Sequence, residues 1–457
     1  MRIVEVSVEG LFGTFDHKIP FNVEERVTII HGPNGFGKTA ILRLIDGFFN
    51  SNYSPIRTIP FKKFSIKFDD ESVLVLEKNP KKNGKSDIEV SLGKNKNESK
   101  SYILKPISEK DLDFPLGMID DLLPNLERID HSTWFDALSG DVLGVLEVLD
   151  RYGDDLPMRF SRQQALFSDS RHPKNAEKWL IDLTKKISVH FIKTERLQML
   201  VNTDKRMRDS SVSLQSVVSK YSNDIKRRIG EKIREYASLS QSLDSNFPIR
   251  LVREDSSSKL TDTQLREQLV NIERKSNELT SAGLLDQNQR SEVPTEFNQT
   301  NKTALALYAE DTLKKLSVFD DIAEKVEIFT ESVNSRFQYK RMFVNKDSGI
   351  KFVTDNKQNL LLESLSSGEQ HELVLFYDLL FNVNPNSLVL IDEPEISLHV
   401  AWQKQFLRDL QAVTANAQFD VLLATHSPQI IANRWDLTVE LKGINSKSKK
   451  TPSVKSV

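Results

Sequence analysis

The segment His31 to Thr39, HGPNGFGKT, constrains this chain more than any other. It follows the apolar run Val27, Ile29, Ile30 and leads into Ala40, Ile41, Leu42, Leu44 and Ile45, whose spacing predicts a helix. Gly32, four residues, then Gly37-Lys38-Thr39 is the pattern of a phosphate-binding loop between a strand and a helix. Backbone N–H groups of Asn34, Gly35 and Gly37 are expected to wrap phosphates, Lys38 to reach the β- and γ-phosphates, and the Thr39 hydroxyl to hold Mg2+. The positive N-terminal end of the following helix favours the same anion. By itself the loop predicts a nucleotide such as ATP and no particular use for it.

A chain of 457 residues has room for about two to four domains with their own cores. A net charge of −2 gives no global attraction to DNA or to a membrane surface, so any nucleic-acid contact has to be a local patch. The sequence has no cysteine, which excludes disulfides and thiolate metal sites and fits a reducing compartment. The N-terminal MRIVEVSVEGLFG alternates as a strand and lacks the apolar core of a signal peptide. No run approaches the ~18 apolar residues of a membrane helix. The expectation is a cytoplasmic protein without membrane contact.

Ile3, Val4, Val6 and Val8, then Phe12, Phe15 and Phe21, predict an antiparallel edge feeding the strand before the loop. Short alternating runs at 61–68, 73–76, 88–92 and 102–104 predict a small antiparallel sheet. Its loop KNPKKNGKSD carries Lys78, Lys81, Lys82 and Lys85, which read as a solvated hairpin tip or as a contact for a polyanion. From 111 to about 185 the pattern is helical and irregular, with Trp134, Phe135, Leu138, Val142 and Leu146 at helical spacing. Ile187, Val189 and Phe191 then alternate as a strand, and Gln198 just beyond it is either a residue approaching the nucleotide or an ordinary exposed glutamine.

Between 210 and 339 glycine is sparse and apolar residues recur at three and four. The seams are Leu214, Val218, Tyr221 and Ile225; Leu265, Leu269, Ile272 and Leu279; and Leu316, Phe319, Ala323, Val326, Phe329 and Val333. They predict helices packed along narrow stripes, as a short coiled coil or as a globular helical subdomain. A polar stretch at 287–302 reads as a loop. Phe343 to Val344 and Ile350 to Val353 flank NKDSG, a hairpin expected to return the chain to the first sheet. The expected organisation is an N-terminal lobe at 1–200, a helical insertion at 201–340, a C-terminal lobe at 341–445 and a flexible tail at 446–457.

The run SLVLIDEPE, Ser387 to Glu395, predicts a parallel strand apolar on both faces and ending in two acids. Asp392 is placed to hold Mg2+, and Glu393 to orient and deprotonate a water aimed at the γ-phosphate. Upstream, Leu365 to Gln370, LSSGEQ, puts small residues at a helix N-terminus, which is either a second anion site or a helix cap.

With these segments in order, the sequence resembles the ABC-type ATPases of the SMC, RecF and double-strand-break-repair branch. The resemblance rests on the loop Gly32 to Thr39, the signature Leu365 to Gln370, the Walker B run Leu388 to Glu393, a D-loop-like Ile396-Ser397-Leu398-His399, and His426 in LLATHSPQI. It implies an α/β P-loop ATPase head, with a mixed sheet and an antiparallel β-subdomain, interrupted by a helical or short coiled-coil insertion. It also implies a homodimer or higher even oligomer in which each ATP lies between one head's loop and the other's signature. Ser366 and Gly368 would contact the opposing γ-phosphate, and His426 would sense it. Ser367 departs from the common LSGGQ signature, and Glu369 replaces its glutamine, as is usual in the SMC branch.

The segment DEPEISLH…ATHSPQII further resembles the stand-alone ATPases of bacterial phage-defence operons, those of PARIS systems first and Septu-type ATPases next. That likeness implies a sensor and scaffold controlling a separately encoded effector nuclease, Toprim-type in the first case and HNH-type in the second, with a phage trigger protein that mimics DNA. Overcoming-lysogenisation nucleases share the segment but carry a Toprim nuclease after it. About thirty residues follow His426 here, too few for one. A RecF-like DNA-binding repair ATPase is the alternative, with DNA as partner.

Overall fold

The computed structural model describes residues 1–51, 53–80, 86–94, 100–104, 117–123, 125–137, 142–145, 147–148, 177–192, 198–203, 211–253, 260–286, 299–396, 398 and 400–443. They divide into two compact units, 1–215 with 382–457, and 216–381.

The first unit is built on a five-stranded parallel sheet in the order Val189–Ile192, Leu388–Asp392, Asp420–Thr425, Val27–His31, Thr438–Glu440. All of Leu388–Asp392 is buried, as are Val27–Ile30 and Val421–Thr425. Unbroken apolar runs of this kind are stable only when both faces of the sheet are covered. The helix Lys38–Phe49 covers one, burying Ile41, Leu42, Leu44, Ile45 and Phe48.

Beside this sheet, six antiparallel strands pair in the order Phe15–Pro20, Ile3–Leu11, Lys63–Phe68, Val73–Pro80, Ser86–Gly93, Lys100–Leu104. The N-terminal hairpin therefore does not edge the nucleotide strand. It joins the later strands through the pairing of Ile3–Leu11 with Lys63–Phe68, and both sheets share one apolar core. Lys78 is also not at a solvated tip. Its Nζ donates to the carbonyls of Arg57 at 2.9 Å and Ile59 at 2.6 Å and lies 4.5 Å from the centre of the Phe61 ring. Burial brings its ammonium down to about 8. Lys81, Lys82 and Lys85 lie outside the described residues.

Residues 126–144 correct the helical reading. Leu126–Asp130, Thr133–Asp136 and Val142–Gly144 form a three-stranded antiparallel sheet. In Thr133–Asp136, Trp134 and Asp136 are buried while Phe135 is exposed, a period of two that the β-branched and aromatic residues favour. Trp134 anchors a small separate core with Ile119, Leu123, Leu143 and Val148. Leu138 and Leu146 lie outside the described residues.

The second unit holds the helices Val217–Arg253, Asp262–Ser281, Gln299–Ser317 and Asp320–Asn334. Leu265 and Leu269 pack with Ala309, Leu305 and Ile272. The third predicted seam is split: Phe319 starts a new helix, so Leu316 and Val326 belong to different elements. The predicted hairpin forms, as Lys340–Asn345 with Gly349–Thr354, but in a sheet of its own with Asn359–Leu360. It stays with the helices because Ser222 Oγ accepts from Ile350 N at 2.9 Å, and the Asn334 side chain bonds both backbone groups of Met342.

The signature segment leads into the helix Ser367–Tyr377. Ser366 Oγ accepts from Glu369 N and Glu369 Oε2 accepts from Ser366 N, a reciprocal capping box worth ~1 kcal/mol. Lys340 Nζ donates to Glu369 at 2.8 Å. One turn on, Glu372 pairs with Arg336 at 2.7 Å, both buried. Burial pushes the Glu372 carboxyl up to about 8, against the pull of Arg336. Ser366 stays exposed and Gly368 half-buried at this helix start.

Candidate nucleotide-binding site

The strand Val27–His31 ends at the loop, and the loop ends where Gly37 caps the helix Lys38–Phe49 without a side-chain hydrogen bond. Gly37 has φ +88°, and a Cβ there would lie 2.3 Å from Leu11 Cδ2, so the turn needs glycine on both counts. Asn34 and Gly35 are exposed. Lys38 is 4% exposed; its Nζ donates to Gly32 O at 2.9 Å and Pro33 O at 3.3 Å, which holds the ammonium against its own loop.

Asp392 closes the strand Leu388–Asp392, one strand removed from Val27–His31 across Asp420–Thr425. Thr39 Oγ1 donates to its Oδ1 at 3.1 Å. Burial pushes the Asp392 carboxyl up, and the Glu393 charge adds to this; the Thr39 hydrogen bond, Arg43 and Lys38 oppose it. A hydroxyl and a carboxylate side by side are two hard oxygen donors of the kind Mg2+ takes together with waters and phosphate oxygens.

Glu393 has φ +40°, a conformation that costs a non-glycine residue free energy. Its N–H is tied to Ala424 O at 2.9 Å. The kink brings Glu393 Oε1 to 3.9 Å from Lys38 Nζ and 3.6 Å from His426 Nδ1. A carboxylate so held can take a proton from water. Lys38, Thr39, Asp392, Glu393 and His426 thus meet at the carboxyl ends of three neighbouring parallel strands, where open α/β sheets bind ligands.

Ser366 and Gly368 belong to the second unit. Gln198 begins the strand Gln198–Thr203, which pairs with Ser211–Ser216; its side chain lies outside the described residues, as do Ser397 and His399.

A family model described as AAA ATPase domain matches residues 1–431. The chain belongs to the AAA ATPase domain family. This AAA-family chain is 27% identical over 227 residues to "Retron Ec83 probable ATPase" of Escherichia coli, covering 46% of this chain and 41% of that one. It is 34% identical over 125 residues to "Protein ea59" of Escherichia phage lambda, covering 26% of this chain and 23% of that one. The chain thus spans less than half the length of these curated relatives. Among solved structures it is similar to the "SMC head domain from Thermotoga maritima", at 12% identity and a TM-score of 0.31 over 95% of this chain and 93% of that one.

Two residues at the site of this AAA-family domain were missed in the sequence. Phe12, read there only as part of an apolar run, has φ +52° and is 45% exposed, with its ring beside Gly37. Glu395 is a third acid in SLVLIDEPE, just behind Pro394 in a 3-10 turn. It is buried, and its Oε1 accepts from Thr425 Oγ1 at 2.6 Å, His426 N at 2.8 Å and Ser427 N at 3.2 Å. Its partners lie 30 residues or more along the chain, so no local pattern points to it.

Proposed function

We propose that this chain binds and hydrolyses ATP as the sensor and scaffold subunit of a bacterial anti-phage defence system, controlling a separately encoded effector nuclease. The observation that carries the ATPase part is the contact of Thr39 with Asp392, with Lys38, Glu393 and His426 around it. Asn34, Gly35, Gly37 and Lys38 bind the phosphates. Mg2+ held by Thr39 and Asp392 would draw charge from the terminal phosphates. Glu393 orients a water and takes its proton as the bond from the γ-phosphorus to ADP breaks. Ser366 and Gly368 from a second copy complete each site, and His426 senses the γ-phosphate. Phe12 stacks on the base: Phe12→Ala is expected to weaken ATP binding ~10-fold in a titration with a fluorescent ATP analogue while barely changing affinity for inorganic triphosphate. Equal losses for both ligands would remove Phe12 from base recognition.

Membership of the AAA ATPase domain family supports the chemistry, and the retron ATPase among its relatives favours defence over DNA repair. The repair reading leaned on a basic loop whose first member, Lys78, is occupied by backbone carbonyls. The effector is a Toprim-type nuclease, with an HNH type next, and the trigger is a phage protein that mimics DNA. The test is copurification of the chain with its neighbouring gene product, with and without ATP. A small nuclease whose retention changes with ATP is the expected result. A replication or repair factor in that place, or no nuclease under either condition, would overturn the defence reading.

A further inference from the structure

We propose that Glu395 is a positioning residue for His426, fixing the imidazole with its proton on Nδ1. His426 Nδ1 lies 3.1 Å from Glu395 Oε1 and 3.6 Å from Glu393 Oε1. Both neighbours are carboxylate oxygens, which only accept; they lie at ion-pair distance rather than in an aligned hydrogen bond, and their negative charge disfavours a bare Nδ1 lone pair and favours a proton on that nitrogen. Nε2 is then the ring atom left for a ligand, and the ring is 45% exposed.

The way Glu395 is held supports this role. Its side chain is 5% exposed, and Oε1 takes the Thr425 hydroxyl and the backbone N–H groups of His426 and Ser427. Oε2 is buried and has no hydrogen-bond partner among the described residues. A carboxylate that merely capped the end of Asp420–Thr425 would lower its free energy by sharing those donors between both oxygens. Here they gather on the one oxygen that also faces the histidine ring.

The surroundings leave the dyad little freedom. Gln403 Nε2 donates to Glu395 O at 3.2 Å and to Leu398 O at 3.1 Å, which pins the turn carrying Glu395. Ser427 Oγ donates to Gln403 Oε1 at 2.9 Å and accepts from Gln429 N, which pins the turn after His426. Both turns are therefore tied to the same glutamine. The arrangement has the logic of a buried acid that orients a histidine through one nitrogen so that the other can work.

The test has two arms. In the full chain with 15N-labelled histidine, His426 is assigned by loss of its signals in His426→Ala, and its ring nitrogens are read directly. Protonated Nδ1 is expected; a neutral ring carrying its only proton on Nε2 would overturn the proposal, whether or not the protein hydrolyses ATP. The second arm is kinetic and rests on the ATPase reading above. Glu395→Ala is expected to lower kcat ~10-fold or more with little change in KM, and Glu395→Gln, whose amide oxygen can accept the same bonds, to recover most of it. In a His426→Ala background the Glu395 substitutions should change kcat less than about twofold. Losses that multiply instead would assign Glu395 a structural role independent of the ring. A parent chain that binds ATP without turnover would refute the ATPase reading and leave the nitrogen measurement to decide this one.

Discussion

Glu393→Gln is expected to keep ATP affinity within about threefold of the parent chain and to lower turnover ~10³-fold, the middle of the range for loss of a general base. The amide retains the size and one acceptor of the carboxylate but cannot take a proton from water. The strained backbone at φ +40° is anchored by Glu393 N to Ala424 O, which the substitution leaves in place. The neighbouring Thr39 and Asp392 are untouched, so nucleotide and Mg2+ should still bind. If ATP is shared between two heads, the variant should also accumulate as an ATP-bound dimer, visible by size-exclusion chromatography with ATP and not with ADP. Turnover at the parent rate would remove Glu393 from the role of base.

Lys38→Ala is expected to abolish ATP binding, since it deletes a buried ammonium held within the phosphate loop. Ser366→Arg should instead leave binding intact and block hydrolysis, because it puts a long cation at the exposed start of the helix Ser367–Tyr377. A mixture of the two inactive proteins is expected to regain activity. In a mixed dimer one site combines the intact Lys38 of one copy with the intact Ser366 of the other, and the second site has neither. No recovery on mixing, with each variant folded and dimeric, would sink the shared site.

Where chemistry depends on neighbours in the chain, it could be read directly. The loop Gly32 to Thr39 directly follows its strand and the run Leu388 to Glu393 ends one, and the contact of Thr39 with Asp392 fits the shared Mg2+ expected of both. Pairing over distance was less legible. The residues at 343–353 predicted a hairpin, but which sheet it joins depends on Ser222 and Asn334, which lie on separate helices. Trp134 and Phe135 fit helical spacing as well as alternation, and burial of one against exposure of the other decides for a strand. Lys78 sits among lysines that suggested solvent, yet two carbonyls at the end of a short helix hold it inside. Glu395 acts largely through backbone N–H groups, which have no signature in side-chain identity.

The parallel sheet also has a consequence for how the protein is made. Among the described residues, the sheet neighbours of the loop strand Val27–His31 are Asp420–Thr425 and Thr438–Glu440. During synthesis at roughly 5–20 residues per second, that strand waits tens of seconds for a partner. Until then both edges of that strand lack their native partners, although the strands of the six-stranded antiparallel sheet, all within residues 3–104, can already pair among themselves. Nucleotide binding is thereby a late event of biogenesis, and a chain interrupted before residue 420 carries the loop without the sheet that gives it shape.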